Sequence, residues 1–421
     1  MPWRAAWRTS PALYCAPLLV AVVWYQLQVA MPWRFDPTWL AAYSRPAAGL
    51  FLIATVAAGC AAWDTSRLRR GGLTGWVPVR SPLRLLSASS LPALCLGMIG
   101  VATALLTTLP QTMGAPGWLD VRPLTVVVVA VAGHTLLGTA LGWLLPVYVS
   151  MPSVLVGTYL WHVYPAAMEP LWLRHLVGYG WEYCCPVWAV PDNRLFWASL
   201  LVPLGLGGGA LLLLAFRWVL LRSLLAVVTA GAAIMVAAEV ATGLDVDPTV
   251  PRTGAMVCEE SEPTVCVWPE NVALLAPVAA EATRVADDLR ALGVAVPDRL
   301  AERAADTSAD DWFFQASRDA EPEQLRRVIV LGLVPQVPEC AETAGGLPEG
   351  TVRAQEVAWA WLWSATGGDP SDFPYPDDVG HRTRVVEEVR ALPAHGQATW
   401  YGNVRDAVLA CDASPELDPS A

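Results

Sequence analysis

Three ionisable residues lie within long apolar stretches of this sequence, where a charged group is costly and is by default a candidate for function. They are His134, His162 and Glu239. Residues of this kind in membrane proteins mark ion and proton pathways, because an imidazole or a carboxylate can take up and release a proton. The alternative is that both histidines are neutral and hydrogen-bonded, and that Glu239 lies close enough to an interface to be hydrated.

Five arginines form a second candidate group, in a loop that also holds Trp76 and little acid. They are Arg67, Arg69, Arg70, Arg80 and Arg84. Charge attraction to anionic lipid is one explanation of such a basic loop. The functional alternative is a cytoplasmic coupling segment that a partner ATPase grips.

Four cysteines lie beyond residue 245 and suggest two disulfides, because an even number of cysteines in one soluble domain is typical of a disulfide framework in an oxidising compartment. Of the three connectivities we favour Cys258 with Cys266, which flank a polar turn suited to a hairpin, and Cys340 with Cys411. The adjacent Cys184 and Cys185 are ambiguous, since neighbouring cysteines rarely bond each other comfortably. Each of these two could be free or could bridge to another loop.

Several common catalytic and cofactor motifs do not occur in the sequence. There is no Lys, so a Walker A loop is excluded, and there is no H-E-x-x-H or G-x-S-x-G pattern. No C-x-x-C occurs, and the histidines nearest the chain's end, His381 and His395, stand near no cysteine. We therefore expect no enzyme activity, no cofactor and no metal site, and we interpret the acidic pairs 287–288, 310–311 and 377–378 as solvated.

The composition indicates a membrane protein with a soluble domain. Apolar residues make up 55% of the chain, charged residues 15%, and Trp occurs 21 times. Residues 1–244 carry 14 Arg and 7 acidic side chains, a net +7, whereas residues 245–421 carry 13 Arg and 31 acidic side chains, a net −18. We therefore place a domain boundary at 244–245. The acidic surface disfavours nucleic acid as a partner.

Seven apolar runs are candidates for transmembrane helices, each of which needs about 20 mostly apolar residues. They cover residues 11–30, 47–63, 85–109, 124–147, 153–168, 195–216 and 223–244. The fifth is the weakest, because His162 and Pro165 interrupt it. It is either a full span or a broken, re-entrant helix. The predicted fold class is thus an all-α membrane protein, a bundle of about seven helices followed by a mainly α-helical domain.

Arginine asymmetry predicts the orientation of the bundle. With seven alternating spans, nine arginines fall on one side and five in the short loops of the other. The positive-inside rule then places the amino terminus in the cytoplasm and the acidic domain outside the cell membrane. If the fifth run does not cross, the acidic domain lies inside instead, unless another segment compensates.

The pattern of residues 245–421 predicts mostly helices. One apolar helix face begins near Pro269 and ends at Gly293, and Pro297 is expected to open a second helix. Further helices are predicted over 322–333, 350–366, 381–392 and 399–411, with a strand as the alternative for 328–334. A short β-hairpin is expected between Cys258 and Cys266. The Trp-rich stretch 359–363 is interpreted as a core contribution or as a surface that docks onto the membrane.

Several sequence elements resemble membrane subunits of actinobacterial type-2 ABC exporters. These are Trp7-Arg8-Thr9-Ser10-Pro11 before the first span, the Arg-rich stretch 63–70, and Arg80-Ser81-Pro82-Leu83-Arg84 entering the third. Val265-Cys266-Val267-Trp268-Pro269-Glu270 is similar to the start of an extracytoplasmic domain appended to some permease-like proteins of this kind. A type-2 permease core usually has six spans, one fewer than we count here.

The resemblance implies a permease-like subunit of an exporter, with ATP hydrolysed by a separate ATPase chain. The bilayer and that ATPase would be its partners, and a homodimer is left open. The alternative is a membrane-anchored extracytoplasmic sensor or interaction protein without transport activity.

Overall fold

The computed structural model describes residues 7–31, 38–71, 82–113, 115, 120–182, 184–215, 218–303, 312–316, 320–334, 340, 347–370 and 379–419. The chain divides into two compact units, Met1–Val250 and Pro251–Ala421. This division lies six residues beyond the boundary predicted from charge. Each unit is described separately below.

The first unit is a bundle of helices. Its helices are α1 (Ala12–Tyr25), α2 (Trp39–Ser44), α3 (Leu50–Arg70), α4 (Pro82–Leu106), α5 (Leu109–Thr112), α6 (Arg122–Leu144), α7 (Val147–Val163), α8 (Tyr179–Glu182), α9 (Asn193–Ala215) and α10 (Val219–Ala241). Short helical turns cover Gln26–Ala30, Arg45–Gly49, Tyr164–Ala167 and Leu171–Val177. Strand β1 (Ala189–Pro191) pairs with β2 (Thr249–Pro251).

Six helical stretches in the described part of the chain are long and apolar enough to cross a membrane. They are Ala12–Ala30, Trp39–Arg70, Ala88–Leu106, Arg122–Leu144, Asn193–Ala215 and Val219–Ala241. They correspond to the first, second, third, fourth, sixth and seventh predicted spans. The second is longer than predicted at both ends: the turn Arg45–Gly49 joins α2 directly to α3, and α3 continues to Arg70.

The fifth predicted span corresponds to α7, which has 17 residues and begins at Val147 rather than 153. The predicted run begins directly after Pro152. In the structure Pro146 is the cap residue and Pro152 lies inside the helix. The helix ends at Val163, just before Pro165, and the chain continues as a short helical turn.

Helices α3 and α6 run parallel. The backbone of Gly138 lies against the Ala58 carbonyl, and one turn further on Gly142 lies against that of Ala62. We call the end of the bundle where α3 finishes, with Arg67–Arg70, the arginine end. Both α3 and α6 therefore run toward the arginine end.

Helices α1 and α4 run the other way. Ser10, which precedes α1, donates a hydrogen bond to Asp64 near the end of α3. Along α4, Gly97 faces Ala57 and Gly100 faces Ile53, so the two sequences pair in opposite directions. Both α1 and α4 thus begin at the arginine end and run away from it.

Helix α7 also runs away from the arginine end. Leu155 packs on Gly59, and the ring of Tyr159 lies 6.0 Å from that of Phe51, so α7 is antiparallel to α3. Gly178, after the turn Leu171–Val177, lies beside Leu50 at the start of α3. Residue 178 therefore lies at the end of α3 that is opposite the arginine end.

Helices α9 and α10 complete the bundle as an antiparallel pair. Arg122 at the start of α6 donates to Asn193 at the start of α9, over 2.8 Å. These two helices are thus parallel. Arg194 donates to the Val240 carbonyl near the end of α10, over 3.0 Å. The chain therefore leaves α10 at the end of the bundle opposite the arginine end.

The second unit combines a small sheet with helices. Its elements are β3 (Val257–Glu259), β4 (Thr264–Val267), α11 (Leu275–Ala291), β5 (Arg299–Glu302), β6 (Trp312–Phe314), α12 (Pro322–Leu331), α13 (Glu349–Ala365), α14 (Val379–Arg390) and α15 (Ala394–Leu409). A short helical turn, Pro269–Leu274, precedes α11. The strand order is β3-β4-β5-β6, with β3 antiparallel to β4 and the other neighbours parallel.

The chain is mainly helical with a few short strands, and the sheet extends the predicted hairpin. Cys258 faces Cys266 across β3 and β4. The prediction that Pro297 opens a helix is wrong, because residues 299–302 form β5 beside β4. Alternate burial along β5 suits a strand, and Leu300 is wholly buried. Residues 328–331, for which a strand was the alternative, are helical.

Large aromatic side chains fill the core of the second unit. Trp359, Trp361 and Trp363 on α13 are all buried, and Trp361 stacks on Tyr401 with ring centroids 5.2 Å apart. Residues 359 and 363 share one helix face whereas 361 lies on another, so α13 is buried on more than one side. The structure therefore agrees with the first interpretation of this stretch, in which its tryptophans contribute to the core.

Candidate functional site

The two histidines predicted within the bundle lie next to each other. His134 on α6 and His162 on α7 have ring centroids 4.9 Å apart, with their planes at 47°. Both side chains are buried. They meet because α6 and α7 are consecutive helices that lie alongside each other in opposite directions.

Backbone carbonyls determine the tautomers of this histidine pair. His134 Nδ1 lies 2.8 Å from the Ala130 carbonyl, and His162 Nδ1 lies 3.3 Å from that of Val177. A carbonyl only accepts, so each Nδ1 carries a hydrogen and each Nε2 of the neutral ring is an acceptor. His162 Nε2 is buried without a hydrogen-bond partner among the described residues. It can accept a proton or a donor group.

Other polar side chains lie on the buried face of α7 and near the contact between α3 and α7. Ser150, Val154, Thr158 and His162 form the buried stripe of α7. Thr55 lies one turn from both Phe51 and Gly59, the residues of α3 that contact α7. The hydroxyl oxygens of Ser150 and Thr55 are buried without partners within the described ranges. The interior between α3 and α7 is therefore polar at several points.

Glycines bring the helices around this region into backbone contact. Gly133 of α6 lies against the Pro203 carbonyl of α9, and Gly138 lies against Ala58 of α3. In α9, Gly205 and Gly209 pack on α10, the second against the Ala226 carbonyl. Small residues allow such close approach between helices in lipid. A larger side chain at these glycines would have to displace backbone.

The described arginines of the coupling group lie at one end of the bundle, and two of them contact other segments there. Arg67 donates to the Thr9 carbonyl before α1, and Arg69 donates to that of Leu144 at the end of α6, over 2.7 Å. The Arg70 guanidinium lies 5.6 Å from the ring centre of Trp63. Arg80 and the Arg84 side chain lie outside the described residues. Arg67 and Arg69 thus connect the end of α3 to two neighbouring segments, whereas Arg70 contacts a residue of α3 itself.

Glu239 lies apart from the histidine pair. Its side chain is exposed on the outer surface of α10, toward the end where the chain leaves the bundle. Apolar residues of the same helix, including Leu220 and Met235, are also exposed. Among the described residues of the bundle, Glu239 therefore joins no polar cluster.

Polar residues at the end opposite the arginines were missed by the sequence reasoning. His175 is buried, and its Nε2 donates to the Asp245 carbonyl over 2.8 Å. Asp120 pairs with Arg122 at 2.6 Å. Burial alone would raise the pKa of Asp120, but the hydrogen bonds and charge of Arg122 outweigh this and lower it. The contact of His175 with Asp245 joins residues 70 apart in sequence, so no local pattern indicated it.

The four cysteines of the second unit are within bonding distance in the predicted pairs, Cys258 with Cys266 and Cys340 with Cys411. In the bundle, Cys184 and Cys185 are buried and joined to each other. A bond between adjacent residues closes no long loop. Cys15, Cys60 and Cys95 are free.

Buried carboxylates in the second unit also have partners. Glu302 accepts from the Trp268 N–H and from Asn271, both over 2.6 Å. Glu281 lies 2.9 Å from Arg284 and 3.8 Å from Arg326. Because buried acids need such compensation, we interpret these as structural. Of the acidic pairs predicted to be solvated, 287–288 is exposed, and the other two lie outside the described residues.

No group of three or more His, Cys, Asp or Glu side chains that could hold a metal ion occurs among the described residues.

Comparison with known families gives one match. A family model described as "Domain of unknown function (DUF7224)" matches residues 265–411. This range covers β4 to just beyond α15 and includes three of the four cysteines of the second unit. No curated protein and no solved structure matches the chain.

Proposed function

We propose that this chain is a permease-like membrane subunit of an ABC-type exporter and works with a separate ATPase subunit. The observation that carries the proposal is the arginine end. There, Arg67 and Arg69 connect α3 to the segment before α1 and to the end of α6. A partner that binds this end would therefore act on three segments at once. The sequence resemblance to type-2 exporter subunits points the same way.

The proposed topology has seven crossings. The support is that α1, α3, α4, α6, α7, α9 and α10 alternate in direction, as the packing contacts and terminal hydrogen bonds indicate. The arginine excess then assigns the arginine end to the cytoplasm, and the second unit to the outside of the cell membrane. An oxidising compartment suits the two disulfides of that unit. The exposed apolar surface of α10 suits contact with lipid.

The proposed transport path passes the His134–His162 pair. Two buried imidazoles with acceptor nitrogens can hold a polar group away from the lipid. The turn between α6 and α7 lies at the arginine end, next to the Leu144 carbonyl that Arg69 binds. Movement of α7 relative to α6 at this turn would change the separation of the two rings.

The experiment is affinity capture of the chain from its native membrane, followed by ATPase measurement with the captured partner. We expect a P-loop ATPase in the preparation. Replacing Arg67, Arg69 and Arg70 by Ala should lower its stimulated activity at least several-fold, with the chain still in the membrane. The matched control is Arg194→Ala, which removes a cation at the opposite end and should leave stimulation near the wild-type level.

Two outcomes would contradict this proposal. Capture of envelope or regulatory proteins without an ATPase would favour the alternative, a membrane-anchored sensor or interaction protein. Equal loss of stimulation in the control would assign the effect to general charge rather than to coupling.

A separate experiment tests the topology. In the same cells, an impermeant thiol reagent applied outside after reduction should label Cys340 and Cys411. Protection of both from labelling would contradict the topology.

A further inference from the structure

The side chain of His175 joins the turn Leu171–Val177 to residues 244–250, which end the first unit and which we call the linker. The side chain is completely buried. Its Nε2 lies 2.8 Å from the Asp245 carbonyl. Since a carbonyl only accepts, Nε2 carries the hydrogen of the neutral ring. The imidazole therefore connects two segments that are 70 residues apart in sequence.

The second ring nitrogen of His175 lies in an apolar environment. Nδ1 is buried without a hydrogen-bond partner among the described residues. It lies beside Gly180 of α8, where an added Cβ would be 2.8 Å from Nδ1, 2.8 Å from Pro248 and 2.9 Å from Leu195. α8 and α9 thus meet the ring with uncharged residues. A proton on Nδ1 would add a buried N–H and a positive charge, both without compensation.

Three charged residues of the described chain act on the His175 ring. Arg174 precedes it in the same turn, and Asp245 and Asp247 are exposed residues of the linker. Burial has the largest influence and lowers the pKa of His175. The Asp245 carbonyl and the two carboxylates oppose this, whereas Arg174 acts in the same direction as burial. The enclosed ring is thus neutral at physiological pH.

Backbone contacts hold the linker and the turn beside this ring. The Asp192 N–H donates to the Pro248 carbonyl over 3.0 Å, and β1 pairs with β2, which begins in the linker at Thr249. The Ser199 hydroxyl of α9 donates to the His175 carbonyl over 2.8 Å. Backbone groups do not titrate, so the imidazole is the contact of this group that responds to pH between about 5 and 8.

We propose that His175 is an acid-sensitive clasp for the linker. The neutral ring closes the clasp, because Nε2 binds the Asp245 carbonyl. When the ring takes up a proton, it leaves its enclosed position and the linker is released. Outside that position the imidazolium gains water and the exposed carboxylates of Asp245 and Asp247.

The pH range of the clasp follows from the direction of the pKa shift. Because the pKa of His175 is lowered in the folded protein, the folded state binds this proton less readily than an unfolded chain does. The stabilisation is therefore present above about pH 6.5, the ordinary pKa of histidine, and is lost as the pH falls below it. The clasp lies within the first unit and does not depend on transport by the bundle.

The test is hydrogen–deuterium exchange of the full chain in lipid nanodiscs, read by mass spectrometry of peptides over residues 186–195 and 244–251. Exchange is expressed as protection relative to the intrinsic rate, because that rate itself depends on pH. We expect the protection of these peptides to fall roughly fivefold or more between about pH 7.5 and about pH 5. Peptides of α6 should keep their protection.

A pair of histidine variants assigns the effect. His175→Gln keeps a donor for the Asp245 carbonyl but does not take up the proton, so its protection should be equal at both pH values. His395→Gln is the matched control, because His395 is exposed on α15. It should lose protection in acid as the wild type does.

A second pair of variants changes the charge that acts on the ring. Asp247→Asn removes a carboxylate that favours the protonated ring, so at low ionic strength the loss of protection should occur at a pH lower by about 0.3 units. Asp288→Asn removes an exposed carboxylate of α11 in the second unit and should leave the midpoint unchanged.

Two results would overturn the proposal. These are equal protection of the wild type at both pH values, and a loss of protection in acid by a folded His175→Gln that matches the wild type. Near-ultraviolet circular dichroism checks that each variant is folded. If His175→Gln is not folded, the comparison of Asp247→Asn with Asp288→Asn decides the question, and equal midpoints would then overturn the proposal.

Discussion

The two units of this protein are packed by opposite means. In the bundle, helices approach through their backbones, as where Gly138 lies against the Ala58 carbonyl. In the second unit, large side chains fill the space between elements, and Trp361 and Trp363 are almost completely buried. The second unit also has two disulfides that join residues distant in sequence or on neighbouring strands.

The difference follows from the solvent that each unit is expected to meet. Lipid is as apolar as leucine, so helices in a bilayer gain from close packing rather than from removing apolar surface from water. A unit in water is stabilised mainly by burying apolar area, and aromatic side chains bury the most. Glycine contacts between helices in the first unit and buried tryptophans in the second unit are thus two ways of packing, each suited to the solvent that the unit is expected to meet.

The largest expected effect is in the aromatic core. Trp361→Ala should destabilise the second unit by about 3–5 kcal/mol, because it removes a fully buried ring and leaves a cavity. Trp197→Ala in the bundle is the control. That side chain is 53% exposed, so its loss should cost little. Thermal unfolding of the chain in nanodiscs measures both, and a similar effect at the two positions would remove the contrast.

The second effect is the loss of stability when a disulfide is removed, which depends on the length of the loop that the disulfide closes. Cys340 and Cys411 are 71 residues apart, whereas Cys258 and Cys266 are 8 apart. In the chain-entropy model, replacing the first pair by Ser costs about 4 kcal/mol and replacing the second about 2.5 kcal/mol. Urea unfolding of the second unit in the full chain gives both values. The reverse order would show that native-state contacts, not chain entropy, determine the contribution of these bonds.

The smallest of the three effects concerns the bundle. Gly138→Leu places a side chain against the Ala58 carbonyl, which cannot move without displacing α3, and overpacking of this kind costs about 1–3 kcal/mol. Gly157→Leu on α7 is matched, because a Cβ there meets no atom within 4 Å. Folded yield in detergent, measured by size exclusion, should fall for the first variant alone. Equal yields would mean that glycine contacts do not hold α3 and α6 together.

Hydrophobic length predicted the membrane-length helices well, since about 20 apolar residues in a row are visible without tertiary information. Boundaries near prolines were less predictable. Pro152 marked the start of the fifth predicted span, yet α7 begins at Val147. A proline removes one hydrogen bond, and packing against α3 outweighs that loss.

The strands β5 and β6 were not predicted because parallel neighbours are joined through distant parts of the chain. Arg299–Glu302 has four residues, too few for a clear period, and it becomes a strand by pairing with β4. The hairpin of β3 and β4 was predictable, since its two strands and their cysteines are close in sequence.

The candidate sites show the same distinction between what a local sequence pattern predicts and what depends on contacts between distant segments. Residue type and hydropathy singled out His134 and His162 as buried polar groups within the bundle. Their contact at 4.9 Å depends on α6 and α7 lying alongside each other. A cavity of about 490 Å³ in the second unit, lined by Trp312 and Arg405 among others, had no sequence signal, because its walls come from four separate segments of the chain.

By itself, the sequence determined that this chain has an apolar, basic first part, an acidic second part, and no lysine for a Walker A loop. These are properties of composition, which sums over residues and needs no geometry. Tertiary structure decided the helix directions, the meeting of the two histidines, the parallel strands and the cavity. Each of these depends on which distant segments lie side by side, and that is determined by packing over the whole unit.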